Sequence, residues 1–353
     1  MDRLRNGVLA TAAALGALAT AGCPQYGAQA PVEAPPAFVV VDLHVDLAHA
    51  AVTGRPFHEG PASGDLLRRG GVVTVVVPLF VDGADAMAPV DALRGYDAAQ
   101  WAYRKAMEGT SLTPPERVPL AGQITTVFAL EGADGFAEQP EQIDRWIERG
   151  VCLVGLVHQR TNKLAGSSQD PSAARREVGL TDAGDALVRR VFDDQALVDV
   201  AHASDAAFDA IARIALEKKA PLVDSHTGVR ALVAIDRNLD DARLRVIAQS
   251  GGVVGIDLHS GHVSPVPGEA ATMEDVANHV EHAVRVAGID HVAIGSDLEG
   301  GIVPPSDSNG EASWPELASI LRRRGWADAQ IAAIFAENAR RVLRSRGPCA
   351  RVR

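Results

Sequence analysis

From residue 37 onward, the apolar positions of the chain are concentrated in short runs that alternate with longer amphipathic segments. Runs made up mostly of Val, Ile, Leu and other apolar residues are typical of strands that are buried on both faces of a parallel sheet. Eight runs have this character, so we predict eight strands. They are Phe38–Leu43, Val72–Phe80, Ile124–Leu130, Val151–Val157, Leu197–Val200, Leu222–Val223, Val253–Leu258 and Val292–Ile294.

The amphipathic segments between and after these runs predict helices. Strands and helices in alternation indicate an α/β fold with a parallel sheet, and eight strands fit a (β/α)8 TIM barrel better than an open sheet. No repeat or internal linker interrupts the pattern, so residues 37–353 are predicted to form a single domain. The predicted helices are Asp91–Met107, Glu141–Arg149, Thr181–Asp194, Ser204–Lys218, Asp240–Ser250, Met273–Ala287, Trp314–Arg323 and Asp328–Arg344.

Residues 1–22 precede this domain and have the pattern of a secretory signal peptide. Arg3 and Arg5 are followed by an apolar run that is too short for a convincing membrane span. The run ends in small residues before Cys23, which resembles the bacterial lipoprotein cleavage site, where the new N-terminal Cys is lipidated. Residues 23–36 are proline-rich and predict an extended tether. We therefore expect export to the cell envelope with a lipid anchor in the membrane; plain secretory cleavage and a periplasmic protein are the alternative.

Charge and cysteine content narrow the classes of function and partner. The 353 residues include 45 acidic and 34 basic side chains, for a formal net charge of −11. This charge repels phosphate backbones and argues against nucleic acid as a partner. The three cysteines have no zinc-binding spacing and allow at most one disulfide. Cys152 lies in an apolar run and is expected to be an inert buried thiol, whereas His279 and His282 are expected on a solvated helix face.

Side chains that bind metals stand at the ends of six of the eight predicted strands. In a barrel, the carboxyl ends of the strands meet at the face where barrel enzymes carry their catalytic groups. Converging buried carboxylates need cations, and the donors available here are enough for two ions. Zn²⁺ suits imidazole and carboxylate most simply, with Mn²⁺ or Fe²⁺ as alternatives. The strand-end residues are His44, Asp46, Glu131, His158, His202, His226 and Asp297.

Short motifs around these residues resemble the renal or membrane dipeptidase family, in that family's order and over nearly all of residues 37–345. The resemblance implies a (β/α)8 barrel of the amidohydrolase superfamily with two Zn²⁺ per chain. It also implies hydrolysis of dipeptides by hydroxide held between the two ions. The motifs are Asp42-Leu43-His44-Val45-Asp46-Leu47, Glu131-Gly132, Val157-His158-Gln159, Asp199-Val200-Ala201-His202-Ala203-Ser204-Asp205, Ser225-His226, Arg237-Asn238-Leu239, Gly295-Ser296-Asp297 and Glu337-Asn338-Ala339-Arg340-Arg341-Val342-Leu343.

The resemblance further implies how the metal ligands are shared between the two ions. His44 and Asp46 would hold one zinc, and His202 and His226 would hold the other. Glu131 would bridge both ions. Two positions depart from the family pattern, where Val45 and Ala201 replace the more common Asn and Ser, but neither is a ligand.

Four further residues receive roles in catalysis or substrate binding from the same resemblance. Asp297 would be the catalytic acid and base, and His158 would polarise the scissile carbonyl. Arg237 would bind the carboxylate of the substrate, which favours dipeptides with a free carboxylate. His259 stands near a position where mammalian members carry a substrate-contacting Tyr, so the side-chain preference is open. Hydrolysis of N-acyl amino acids or lactones, a non-enzymatic binding protein with a relic site, and a homodimer also remain open.

Overall fold

Nine parallel strands lie in the part of the chain that the computed structural model describes, which is residues 38–81, 83–114, 120 and 122–349. In chain order they are β1 (Val40–Asp42), β2 (Val72–Phe80), β3 (Leu112–Thr113), β4 (Ile124–Glu131), β5 (Val151–Gly155), β6 (Leu197–Asp199), β7 (Leu222–Thr227), β8 (Val253–Ile256) and β9 (Val292–Ile294). The spatial order is β2-β1-β9-β8-β7-β6-β5-β4-β3, and pairing of β2 with β4 closes a barrel of eight strands. The predicted (β/α)8 TIM barrel is confirmed, and the two-residue β3 is an unpredicted addition.

Helices surround the barrel and connect its strands. Five of them begin with a side-chain cap that accepts a backbone N–H of the first turn. The acceptor is an oxygen at Thr181, Ser204, Asp240 and Thr272 and a ring nitrogen at His259. In chain order the helices are α1 (Leu47–Val52), α2 (Gly64–Arg69), α3 (Pro89–Ala106), α4 (Ile143–Glu148), α5 (Ala173–Arg176), α6 (Asp182–Asp193), α7 (Asp205–Lys218), α8 (Asp241–Gln249), α9 (Ser260–Val263), α10 (Met273–Ala287), α11 (Trp314–Arg323), α12 (Asp328–Ala332) and α13 (Asn338–Arg344).

The last helical segment closes one end of the barrel. It was predicted as one helix, but a π-helical turn at Ala333–Glu337 separates α12 from α13. Buried side chains of this segment, among them Val342 and Leu343, join the apolar cluster that fills the barrel. Arg341 donates hydrogen bonds to the carbonyls of Gly251 and Asp290, which both precede a strand. The segment therefore covers the amino-terminal end of the barrel and leaves the opposite end to the site.

Cys152 is not a free thiol, because it forms a disulfide with Cys349. The two Cα atoms are 5.5 Å apart, although 197 positions separate the residues in the sequence. The prediction of an inert thiol is wrong, since only the folded chain brings β5 next to the C-terminal segment. Both cysteines are buried in the apolar cluster inside the barrel. The disulfide thus fastens the C-terminal segment to the barrel.

We expect Cys349→Ser to lower the free energy of unfolding by about 2–4 kcal/mol, because a long loop is no longer closed in the unfolded chain. Chemical unfolding without reductant measures this difference. Wild-type protein treated with a reductant should shift to the same stability, and the variant should not respond to the reductant. Equal stability of variant and wild type under oxidising conditions would contradict the prediction.

His279 and His282 lie on α10 but are both buried, so their predicted solvated position is wrong. The backbone N–H of Val229 donates to Nδ1 of His279 over 2.9 Å, and His282 Nε2 lies 2.7 Å from Asp241 Oδ1. Burial lowers the pKa of His279 to about 4, which keeps this imidazole neutral. Helical periodicity could not predict the burial of these histidines, because α8 and the loop after β7 cover the face of α10 that carries them.

The predicted signal peptide and tether, residues 1–22 and 23–36, lie outside the described residues. The division of the chain into these segments and a domain from residue 37 stays a prediction. Within the described ranges, no helix has both the length and the apolar character needed to cross a membrane.

Candidate active site

The predicted metal ligands meet at the carboxyl end of the barrel. Each lies at or just beyond the carboxyl end of a different strand, apart from His44 and Asp46, which both follow β1. Their ligand atoms form three groups within which all atoms lie within 4.8 Å of one another. The groups are His44, Glu131 and His226; Glu131, His158 and His202; and His44, Asp46 and Asp297.

Glu131, the last residue of β4, lies at the centre of the imidazoles. Its side chain is only 9% exposed, and four imidazole nitrogens surround the single oxygen Oε1. One carboxylate therefore faces ligands from four other strand ends, as a residue shared by two cations would. The distances from Oε1 to Nε2 are 3.0 Å for His202, 3.6 Å for His44, 3.7 Å for His226 and 3.9 Å for His158.

A second set of oxygens lies on the other side of His44. Asp46 Oδ2 is 3.5 Å and Asp297 Oδ1 is 4.0 Å from His44 Nε2. Burial, and next to it the charge of Asp46, raises the pKa of Asp297 well above its usual value. Asp297 is therefore a carboxyl group that holds a proton readily, and its position beside His44 and Asp46 also makes it a possible ligand by geometry.

The charge states of the histidines suit a divalent cation. Burial lowers the pKa of His202 and of His226 well below the usual value, so both rings are neutral and present a lone pair. Their Nε2 atoms are 2.9 Å apart. Burial also disfavours the charged form of His44, but Glu131 and Asp46 outweigh it and raise the pKa to about 10.

The Nε2 atom of His44 is buried without a hydrogen-bond partner among the described residues. A cation at this position would satisfy this nitrogen and neutralise the carboxylates around it, replacing the proton. The donor set of imidazole nitrogens and carboxylate oxygens therefore fits zinc or a similar divalent metal.

Two aspartates that the sequence analysis did not assign fix the strand ends that carry the histidines. Asp42 Oδ1 accepts hydrogen bonds from the backbone N–H groups of His44 and Ser296, both over 2.9 Å. Asp199 Oδ1 accepts in the same way from Ala201 and Ser225, both over 3.0 Å. Each carboxylate thereby joins the end of its own strand to that of a neighbour. The signal for this role was present, since each Asp lies two or three residues before a predicted ligand.

The imidazoles are also oriented through their second nitrogen. His202 Nδ1 lies 2.6 Å from Gln169 Oε1, and His226 Nδ1 lies 2.9 Å from the hydroxyl of Ser225. Such partners fix the ring of a metal-binding histidine and select the nitrogen that faces the metal. In this site, these partners orient the rings of His202 and His226 so that Nε2 of each faces Glu131.

His202 and Asp297 both have backbone conformations that residues other than glycine rarely adopt. Their φ angles are 64° and 61°, in the left-handed region. Holding a residue in this region costs on the order of 1–3 kcal/mol and is common at functional sites. The turns after β6 and β9 therefore position these two side chains at a cost that the surrounding structure offsets.

A polar cavity of about 150 Å³ opens onto the metal-binding groups. Its walls include Glu131 and Asp297, together with His158 and His259 from the sequence analysis and with His262, which that analysis did not assign. Arg237 is 5% exposed and donates a hydrogen bond to the carbonyl of His226, and its buried Nε has no hydrogen-bond partner among the described residues. The structure thus brings all predicted ligands together and places Arg237 beside one of them, His226.

The match to a family of known proteins covers nearly the whole described barrel. The model of the membrane dipeptidase family (Peptidase family M19) matches residues 35–351. The chain belongs to this family. The resemblance seen in the sequence is thereby confirmed, and the metal-binding groups are those of a metallopeptidase family member.

Individual relatives are distant in sequence but similar in fold. Dipeptidase aclJ from Aspergillus oryzae is 28% identical over 222 residues, which are 63% of this chain and 51% of aclJ, so the chain matches about half the length of that relative. A metallo peptidase from Rhodobacter sphaeroides, solved with a phosphinate mimic of the dipeptide L-Ala-D-Ala, is 21% identical. Its TM-score is 0.74, with 90% of this chain and 99% of that chain covered. The dipeptidase AC has a TM-score of 0.76 at 21% identity, covering 88% of this chain and 99% of its own. At these identities the structures show a shared fold.

Membership in the membrane dipeptidase family does not by itself assign a role to His259. His259 caps α9 by accepting the N–H of Gly261 at Nδ1 over 3.1 Å. Burial, and then the charge of His262, lowers the pKa of His259 to about 4. His259 is therefore a neutral imidazole in the cavity wall, and its role in substrate binding stays a prediction.

Proposed function

We propose that this protein is a metallo-dipeptidase that binds two zinc ions per chain and hydrolyses dipeptides with a free carboxylate. One observation carries the proposal. A single carboxylate, Glu131, lies within 3.9 Å of four imidazoles, and a second donor group of His44, Asp46 and Asp297 adjoins it. This arrangement supports two adjacent cation positions that share one ligand. Family membership and the name of the relative aclJ support the same activity.

Divalent cations at such a site lower the pKa of a bound water and polarise a carbonyl group. The residues of the chain supply the other requirements of amide hydrolysis. His158 lies in the cavity wall 3.9 Å from Glu131, where its ring can donate a hydrogen bond to the carbonyl oxygen as negative charge develops. Asp297 lines the same cavity and holds a proton readily, so it can deliver one to the departing amine.

The metal content tests the proposed site directly. Protein incubated with zinc and freed of excess metal should contain two ions per chain by elemental analysis, and it should release free amino acids from dipeptides. Chelation should abolish this release, and zinc should restore it. One ion or none would overturn the shared-ligand arrangement, and full activity without metal would overturn the metallo-dipeptidase assignment.

We also propose that the mature protein begins at lipidated Cys23 and works outside the cytoplasm. The lipoprotein-like cleavage site supports the anchor, and the Cys152–Cys349 disulfide supports an oxidising compartment. Cys23→Ser should release the protein from membranes with unchanged activity, because the tether separates Cys23 from the barrel. Fractionation and mass spectrometry measure this, and an unmodified N-terminus in the membrane-bound wild type would contradict the proposal. A homodimer stays a prediction.

A further inference from the structure

A tyrosine from the helices around the barrel reaches the turn that follows Glu131. Tyr96 lies on α3 and is fully buried, and its hydroxyl donates a hydrogen bond to the carbonyl of Gly132 over 2.6 Å. Gly132 comes directly after Glu131, the last residue of β4. The bond therefore lies one residue away from the carboxylate at the centre of the imidazoles, and neither metal binding nor the proposed catalytic steps use this tyrosine directly.

The ring of Tyr96 is fixed by an aromatic cluster. It stacks on Phe136, with ring planes 3° apart and centroids at 6.3 Å, and it meets Trp146 edge to face at 5.9 Å. Phe136 and Trp146 also contact each other edge to face. Burial, and next to it the charge of Asp134, raises the pKa of Tyr96, so the hydroxyl keeps the proton that it donates. The cluster thus holds a hydrogen-bond donor in one position.

The bond from Tyr96 is one of two that fix a single peptide group. The carbonyl of Gly132 and the N–H of Ala133 belong to the same peptide unit. This N–H donates to the carbonyl of Leu156, directly after β5, over 3.1 Å, while Tyr96 holds the oxygen. Because a peptide group is planar, restraining both of its polar ends restrains its orientation.

Gly132 cannot fix this orientation by itself. Its φ of 86° lies in the left-handed region, and glycine has little steric preference of its own among backbone conformations. The turn also packs closely against the next strand end, since a Cβ atom on Gly132 would lie 3.2 Å from Asp134 Oδ2 and 3.9 Å from Cβ of His158. Restraint from Tyr96 therefore sets how the chain leaves Glu131 and where the carboxylate of Glu131 is directed.

We propose that Tyr96 is a positioning residue for Glu131. Its hydroxyl holds the turn after β4 so that the carboxylate lies between the two proposed cation positions. The proposal rests on the two-zinc site of the proposed function and adds to it a residue outside the donor groups. Because Glu131 is shared, loss of the hydroxyl weakens the binding of both ions together.

The test compares two tyrosines on the same helix. Tyr96→Phe removes only the hydroxyl. Tyr103→Phe makes the same change at a residue of α3 that is 1% exposed and whose hydroxyl bonds no residue of the site. Competition with a chromophoric chelator measures both zinc dissociation constants of folded, initially metal-free protein without turnover. Tyr96→Phe should raise both constants by about tenfold, the lower end of the effect for residues that orient metal ligands, and Tyr103→Phe should keep the wild-type constants.

Thermal unfolding of the metal-free proteins separates positioning from a contribution to stability alone. Tyr96→Phe should be less stable than the wild type, because the carbonyl of Gly132 loses a buried hydrogen bond. Lower stability with unchanged zinc constants would give Tyr96 a structural role only and overturn the proposal. Weaker binding of one ion alone would also overturn it, since a displaced Glu131 must affect both.

A second pair of variants moves the turn without changing Tyr96. Gly132→Ala places a Cβ atom 3.2 Å from Asp134 Oδ2 at a positive φ. Gly109→Ala is its control, because Gly109 has a φ of 79° and no atom within 4 Å of its Cβ position. Gly132→Ala should raise both zinc constants, and Gly109→Ala should raise neither. If Tyr96→Phe does not fold, this pair decides the question, and wild-type constants in Gly132→Ala would overturn the proposal.

The outcomes distinguish this role from the proposed function. A wild type that binds two zinc ions and cleaves dipeptides, with equal zinc constants in Tyr96→Phe and Tyr103→Phe, would overturn the positioning role alone. A wild type that binds no zinc and cleaves no dipeptide would overturn the proposed function and this role with it.

Discussion

Replacing Asp297 with Asn is expected to lower kcat by roughly 10² to 10⁴-fold, the usual range for the loss of a general acid and base. Asn keeps the shape of the side chain but cannot take up and deliver a proton. The raised pKa of Asp297 and its place in the cavity wall support its proposed role as the proton carrier. Because it is assigned no part in substrate binding, KM for a dipeptide should change little. Steady-state kinetics on one dipeptide measure both values.

Metal analysis of the same variant distinguishes proton transfer from metal binding. Asp297 Oδ1 is 4.0 Å from His44 Nε2, close enough for a shared cation. If Asp297→Asn keeps both metals and loses kcat, the proton-carrier role stands. Loss of a metal ion would instead make Asp297 a ligand. Asp290→Asn, an exposed position at the other end of the barrel, is the matched control and should leave kcat unchanged.

Glu131→Ala is expected to remove more metal than any single histidine variant and to bring dipeptidase activity to the level of background hydrolysis. Glu131 belongs to two of the three donor groups, and its carboxylate lies within 3.9 Å of four imidazoles. Its loss should therefore weaken both proposed cation positions. Elemental analysis after dialysis should give fewer than one ion per chain. His44→Ala, His202→Ala and His226→Ala are the comparison set.

Glu138→Ala is the matched control for this change. Its carboxylate is 62% exposed, pairs with Lys163 at the surface and belongs to none of the donor groups. The control should retain wild-type metal content and activity. Full metal occupancy in Glu131→Ala would show that the two cation positions are independent and that Glu131 does not bridge them.

The barrel was predictable because its strands are buried on both faces. This burial leaves mainly apolar runs, and β2 and β9 begin and end where the predicted runs do. The two-residue β3 is too short to produce a recognisable pattern of apolar residues in the sequence. The Cys152–Cys349 disulfide and the burial of His279 depend on segments that are distant in sequence, so no local pattern could reveal them.

The ligands of the site were predictable for a related reason. A parallel barrel places every strand end at one face, so the residue after each apolar run is a candidate without any knowledge of the neighbours. Asp42, Asp199 and His262 were not assigned, because their roles depend on which backbone N–H or carboxylate lies beside them in space. Arg237 was assigned by resemblance, and its hydrogen bond to the carbonyl of His226 depends on the path of a loop.

The paired hydrogen bonds of Asp42 and Asp199 hold some strand ends of the site together and leave the loop after β8 outside these bonds. These carboxylates tie β1 to the end of β9 and β6 to β7, so the histidines on those ends keep their spacing whatever the chain does beyond them. The segment that carries His262 leaves the barrel from β8, which neither carboxylate restrains. Loop grafting at residues 258–272 can therefore exchange His259 and His262 in the cavity wall without removing the bonds that space the metal-binding histidines.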